Sequence, residues 1–101
     1  MKTEKNITCL AVVQIIPDKK KQLIQALNQV KAESFQVAGC IDYQVLVDEN
    51  QPNILLIRSV YKSKQHFDKH FETNQMQWFM KEIKPLTCIK INHDLYEEAF
   101  V

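Results

Sequence analysis

A chain of 101 residues that is 46% apolar and 25% charged has the composition of one globular domain with a modest core. Thirteen Lys and Arg against twelve Asp and Glu leave a net charge of +1, which gives no electrostatic footprint for nucleic acid or an anionic membrane. The polar start MKTEKN precedes only a short apolar run, so no signal peptide or membrane span is predicted, and a cytoplasmic location with reduced cysteines is the expectation.

Residues 7–16 read as a first strand, rich in β-branched side chains and apolar on both faces. Pro17-Asp18 suits a helix start, because proline fits the first helical position and an acidic group there opposes the helix dipole. Leu23, Leu27 and Val30, with Ile24 and Ala26, form a stripe at helical spacing, which predicts a helix over about 18–35. The only glycine, Gly39, suits a turn that needs unusual backbone angles. Residues 40–48 and 53–61 read as strands two and three, joined by the polar loop DENQPN as an antiparallel hairpin.

Ser63 is a good N-cap for a second helix that carries His66, Phe67, His70 and Phe71. A break is predicted near Thr73-Asn74, then a further helical piece with Met76, Phe79, Met80 and Ile83 inward, ended by Pro85. Residues 86–96 read as the last strand, and 97–101 as a short tail. Cys9, Cys40 and Cys88 all fall in strand-like runs, where cysteine behaves as a small apolar residue, and no C-x-x-C pair exists.

The order β-α-β-β-α-β predicts an α+β, ferredoxin-like fold with a four-stranded antiparallel sheet, one domain over 1–101 with its core at about 7–96. Two helices cover one sheet face. The other face carries apolar side chains in either register, and pairing two such faces across a two-fold axis would bury them. A homodimer joined through its sheets is therefore expected, with a cavity between the sheets.

Several residues are candidates for chemistry. Ile57, Ser59 and Tyr61 share one strand face by the period of two, with His70 just beyond on the helix. Against this stands the plainer reading of Tyr61 as core and His70 as an ordinary helix residue. His66 and His70, four apart, lie on one helix side as two metal ligands would, but no third ligand has a spacing that singles it out, so no metal is assigned. Trp78 lies off the helical stripe and is assigned to a ligand mouth or a partner surface. Tyr43 and Asp42 point to opposite faces, and one of them reaches the cavity.

The runs A-G-C-I-D-Y at 38–43 and S-V-Y-K-S-K-Q-H-F-D-K-H at 59–70 are similar to P-G-C-x-x-Y and E-x-W-x-S-x-x-x-x-x-x-H of the antibiotic biosynthesis monooxygenase family. The resemblance covers roughly residues 7–96. It implies a dimeric α+β barrel, a small apolar site and, in the quinol monooxygenases, oxidation of a phenolic substrate without a cofactor. It places Tyr61 at the family's strand-end Trp or Tyr and His70 at its helical His. Ser59 stands in place of the frequent glutamate, and Gln75 where quinol monooxygenases often have a second His. The haem-degrading branch uses an Asn, Trp and His triad, and Ala11, His70 and Met80 stand at those positions here.

The resemblance therefore implies a cofactor-independent monooxygenase acting on a small phenolic or quinol substrate, with His70 and Tyr61 expected as its catalytic residues and Ile57, Ser59, Tyr43 and Trp78 expected to bind substrate. The alternative is a non-catalytic dimer of the same fold that binds a small ligand. Neither nucleic acid nor membrane is an expected partner, since strand three lacks an aromatic platform for stacking bases.

Overall fold

A computed structural model of the chain describes residues 5–87, 92–97 and 99. Strand β1 (Ile7–Gln14) lies inside the sheet, flanked by β3 (Ile54–Tyr61) and β4 (Asn92–Glu97), and β2 (Cys40–Val47) forms the edge beyond β3. All neighbours are antiparallel and the order is β2-β3-β1-β4, the ferredoxin-like arrangement. Three helices accompany the sheet: α1 (Lys20–Ser34), α2 (Lys64–Phe71) and α3 (Asn74–Ile83).

The local chemistry explains the boundaries. Pro17–Lys19 forms a single 3-10 turn that feeds α1. Asp48 turns the chain between β2 and β3, its Oδ1 accepting from the backbone N–H groups of Asn50 and Gln51 at 2.8 and 3.0 Å. Ser63 Oγ accepts from the His66 N–H at 3.2 Å and caps α2; Thr73 Oγ1 does the same for α3 through the Met76 N–H, also at 3.2 Å. The predicted break falls between these two helices. Gly39 takes φ +94°, and its carbonyl accepts from the Lys62 N–H, which ties the start of β2 to the end of β3.

The register decides which apolar row meets the helices. Leu55, Ile57, Ser59 and Tyr61 of β3 are buried, as are Cys9 and Val13 of β1 and Tyr43 of β2. Val13, Tyr43, Leu55 and Ile57 pack into one core with Leu23, Leu27, Val30, Met76, Phe79 and Ile83 of the helices. The alternate row faces away: Ile54, Leu56 and Arg58 are partly exposed beside the exposed Val12 and Leu46, while Val60 near its end is buried. Asp42 belongs to this open face, where Arg58 Nη1 donates to its Oδ2 at 2.9 Å.

Two expectations are corrected. The last strand does not begin at Leu86: Lys84–Leu86 is a 3-10 turn around Pro85, Thr87 makes an isolated bridge to Ile15, and among the described residues the strand covers Asn92–Glu97. The reading of Cys88 lies outside the described residues. The cavity reached by Tyr61 and His70 lies on the helix side of the sheet, not on the face left open for a second copy. The reason is the register: the strand row that carries Ser59 and Tyr61 is the one the helices cover.

Candidate functional site

His70 sits in the last turn of α2, on the same side as Phe67, and only 4% of it is exposed. Burial of an imidazole follows from its neighbours. Phe67 packs edge-on against Tyr61 with ring centres 5.3 Å apart, and this draws the helix onto the end of β3. The His70 and Tyr61 rings then lie 5.6 Å apart. Nε2 of His70 meets Oγ of Ser34, the last residue of α1 and itself fully buried, at 3.4 Å. Nδ1 is buried with no hydrogen-bond partner among the described residues.

These groups border a cavity of about 50 Å³ between the sheet and the helices. Of the residues assigned to a site from sequence, His70, Tyr61, Ile57, Ser59 and Tyr43 all line it. Trp78 does not: it lies on the outer side of α3, 53% exposed. Cys9, Ala11, Phe71, Met76, Met80 and Ile83 complete the wall. The period of two placed Cys9 and Ala11 on one face of β1, but nothing in one sequence said that this face was the covered one.

Burial sets the protonation of the wall. It lowers the pKa of His70, so the ring is neutral at and above neutral pH. It pushes the Tyr61 phenol up to about 12, partly offset by a hydrogen bond with Ser59, and raises the Tyr43 phenol further. It also pushes the Cys9 thiol up to about 11. The wall therefore presents hydroxyl and thiol hydrogens, a neutral imidazole and no formal charge. Tyr61 is a hydrogen-bond donor here and not a base.

His66 belongs to a different place. Its Nδ1 meets Ser63 Oγ at 2.7 Å and its ring lies against Gly39, whereas His70 turns to Ser34. Among the described residues no group of three or more His, Cys, Asp or Glu side chains is arranged to hold a metal ion. Ser34 was not singled out from sequence, and no signal could have found it, since it stands 36 residues from His70.

Among solved structures, a candidate antibiotic biosynthesis monooxygenase from Nitrosomonas europaea superposes with a TM-score of 0.90 at 13% identity, over 99% of this chain and 96% of that one. A protein from Methanosarcina mazei gives 0.88 at 20% identity over 93% of each chain. At such identities the likeness concerns the fold. A curated relative, an uncharacterised protein of Synechocystis, is 31% identical over 88 residues, which is 86% of this chain; the chain spans 59% of that relative's length. The sequence pattern of one family matches residues 6–82, from the start of β1 nearly to the end of α3 and so across every strand and helix that builds the cavity, and the chain belongs to that family, the antibiotic biosynthesis monooxygenases.

Proposed function

We propose that the protein is a monooxygenase of this family that oxidises a small phenolic or quinol-type substrate in the cavity at His70. The observation that carries the reading is a buried imidazole with one unpartnered nitrogen in an otherwise apolar wall, beside the Tyr61 phenol. An electron-rich phenol that loses its proton can reduce oxygen directly. One oxygen atom enters the ring and the other leaves as water, with both hydrogens of that water coming from the substrate. The protein's part is to accept a proton at His70, orient the ring and exclude bulk water. Ile57 and Ser59 form the sheet-side wall, and Tyr61 and Tyr43 offer hydrogen bonds to oxygen atoms.

The cavity is small for an aromatic guest. A cavity known to take up benzene measures roughly 150 Å³, about three times the 50 Å³ present. Phe71, Met76 and Met80 form the helix-side wall, and Phe71 and Met80 are only partly buried. Thioether side chains repack readily, so this wall supplies the room.

The test is oxygen consumption with a panel of quinols and anthrone-like phenols, without added metal or flavin. Turnover is expected, and His70→Ala lowers it by more than about tenfold if His70 takes the proton. An unchanged rate removes His70 from the mechanism. The small cavity, with Ser59 and Gln75 where the family resemblance sets a frequent glutamate and a second His, favours a second reading: a non-catalytic binder of a small ligand. Saturable binding without oxygen uptake across the panel would select it.

A further inference from the structure

Five polar side chains face the cavity: the hydroxyls of Tyr43, Ser59 and Tyr61, the Cys9 thiol and the His70 ring. Four of these carry a hydrogen to donate. Among the described residues, neither an ammonium or guanidinium group nor a carboxylate lines it. An ionised ligand would enter without a counter-charge, at a desolvation cost of several kcal/mol per ion. The site thus selects a neutral molecule, and the question becomes which hydrogen-bond polarity His70 presents to it.

The answer turns on one contact. A single hydrogen lies between Ser34 Oγ and His70 Nε2, which are 3.4 Å apart. If the serine donates it, the neutral ring must carry its own hydrogen on Nδ1, where the described residues supply no acceptor. If Nε2 donates it, Nδ1 is a bare lone pair. Orphaned buried N–H groups are rarer in proteins than unfilled acceptors, which marks the first arrangement as the costlier one. We infer that Ser34 is a positioning residue that holds His70 in the tautomer protonated on Nε2, and that the site selects a neutral ligand donating a hydroxyl hydrogen bond to Nδ1.

This inference rests on the reading of the cavity as a ligand site, and it states why a phenol fits. One hydroxyl would donate to Nδ1, the orphaned nitrogen, while its oxygen stays free to accept from a hydroxyl of the wall. A ligand with only acceptors would leave Nδ1 bare. Sites built to bond a hydroxyl discriminate strongly against analogues that lack it, because a buried polar group is then left unpaired.

Nitrogen-15 NMR of imidazole-labelled protein tests the tautomer without any substrate. At neutral pH His70 is expected to show a protonated Nε2 and a pyridine-like Nδ1. Ser34→Ala removes the acceptor and is expected to give a mixture of tautomers; Ser34→Thr, which keeps a hydroxyl, restores the single form. A wild-type ring protonated on Nδ1, or a Ser34→Ala ring indistinguishable from wild type, overturns the assignment. Phenol and its methyl ether then test the ligand. Phenol is expected to shift the Nδ1 resonance and bind at least tenfold more tightly than anisole. Equal affinities, or no binding by either, overturn the ligand half. Phenol binding through Nδ1 with no oxygen uptake would sink the oxygenase reading alone and leave this inference standing.

Discussion

Among the described residues that line the cavity, His70 is the one whose pKa burial lowers, and this makes its protonation a stability event. The folded protein holds the His70 pKa below its ordinary 6.5, because desolvation penalises the charged ring. Below about pH 6.5 the unfolded chain takes up a proton that the folded protein resists, so stability is complete above that pH and falls as the pH drops toward the folded value. The thermal midpoint is expected to fall between pH 7.5 and 5.5, and to fall less in His70→Gln, which cannot titrate; equal losses would show that His70 is not the cause. Gly39 yields a second expectation. Its φ of +94° is strained for any other residue, and a Cβ there would run into the His66 ring. Gly39→Ala should cost at least about 1–3 kcal/mol, read as a lower urea midpoint, and a midpoint within error of wild type would refute the account. The glycine's conformation was legible from its position after a helical stripe. Its contact with His66 was not, because nothing in a one-dimensional pattern says that α2 lies across that turn.

At the scale of elements, short side chains with strong local preferences were the readable ones. Ser63 before α2 and the Thr73-Asn74 break before α3 follow from hydroxyls that accept backbone N–H groups, a preference that tertiary structure rarely overrides. The last strand was misread at its start because apolar Leu86 follows a proline, a pattern shared by strand entry and by a terminal 3-10 turn. Trp78 lies off the α3 stripe as read, but it does not reach the cavity as its assignment to substrate binding required, because that stripe turns it outward, 53% exposed. The cap at Thr73 has a consequence beyond the helix end. It starts the helix that carries Met76 and Met80, the two thioethers of the cavity wall. Thr73→Ala is expected to cost about 1 kcal/mol and to raise hydrogen exchange across the first turn of α3 relative to α1. Uniform acceleration in both helices would mean that the substitution acts on global unfolding and that α3 has no local stability of its own.

For the whole molecule, the sequence showed that one sheet face lacks a helical cover, and not which one. Both rows of β1 and β3 are apolar enough to serve as core, so the choice was made by Tyr43, Ser59 and Tyr61 packing under α2 and α3 and was invisible to alternation alone. The uncovered face now has definite members: Val12, Leu46, Ile54 and Leu56 around an open apolar groove, next to the Arg58–Asp42 pair. Each such side chain forgoes roughly 1.5–3 kcal/mol when left in water rather than buried, a large sum beside the 5–15 kcal/mol that stabilises a domain of this kind. A second copy brings an identical row, and a two-fold axis lets each row cover the other. Arg58 keeps its charge partner within its own chain, at 2.9 Å, and Arg58 Nη1 also donates to Gln44 Oε1 at 3.2 Å, so closing the face strands no lone cation. We therefore propose a homodimer joined through this face, with each copy keeping its own cavity on the far side of its sheet. Light scattering at micromolar concentration should give about twice the chain's 11.9 kDa. Leu56→Asp places a carboxylate in the centre of the apolar row, opposite Val12 and Leu46 on the neighbouring strands, and is expected to give a folded monomer or aggregate. A wild-type protein that is monomeric at that concentration and folded by circular dichroism would mean that the face tolerates water, and the two-fold assembly would have to be abandoned.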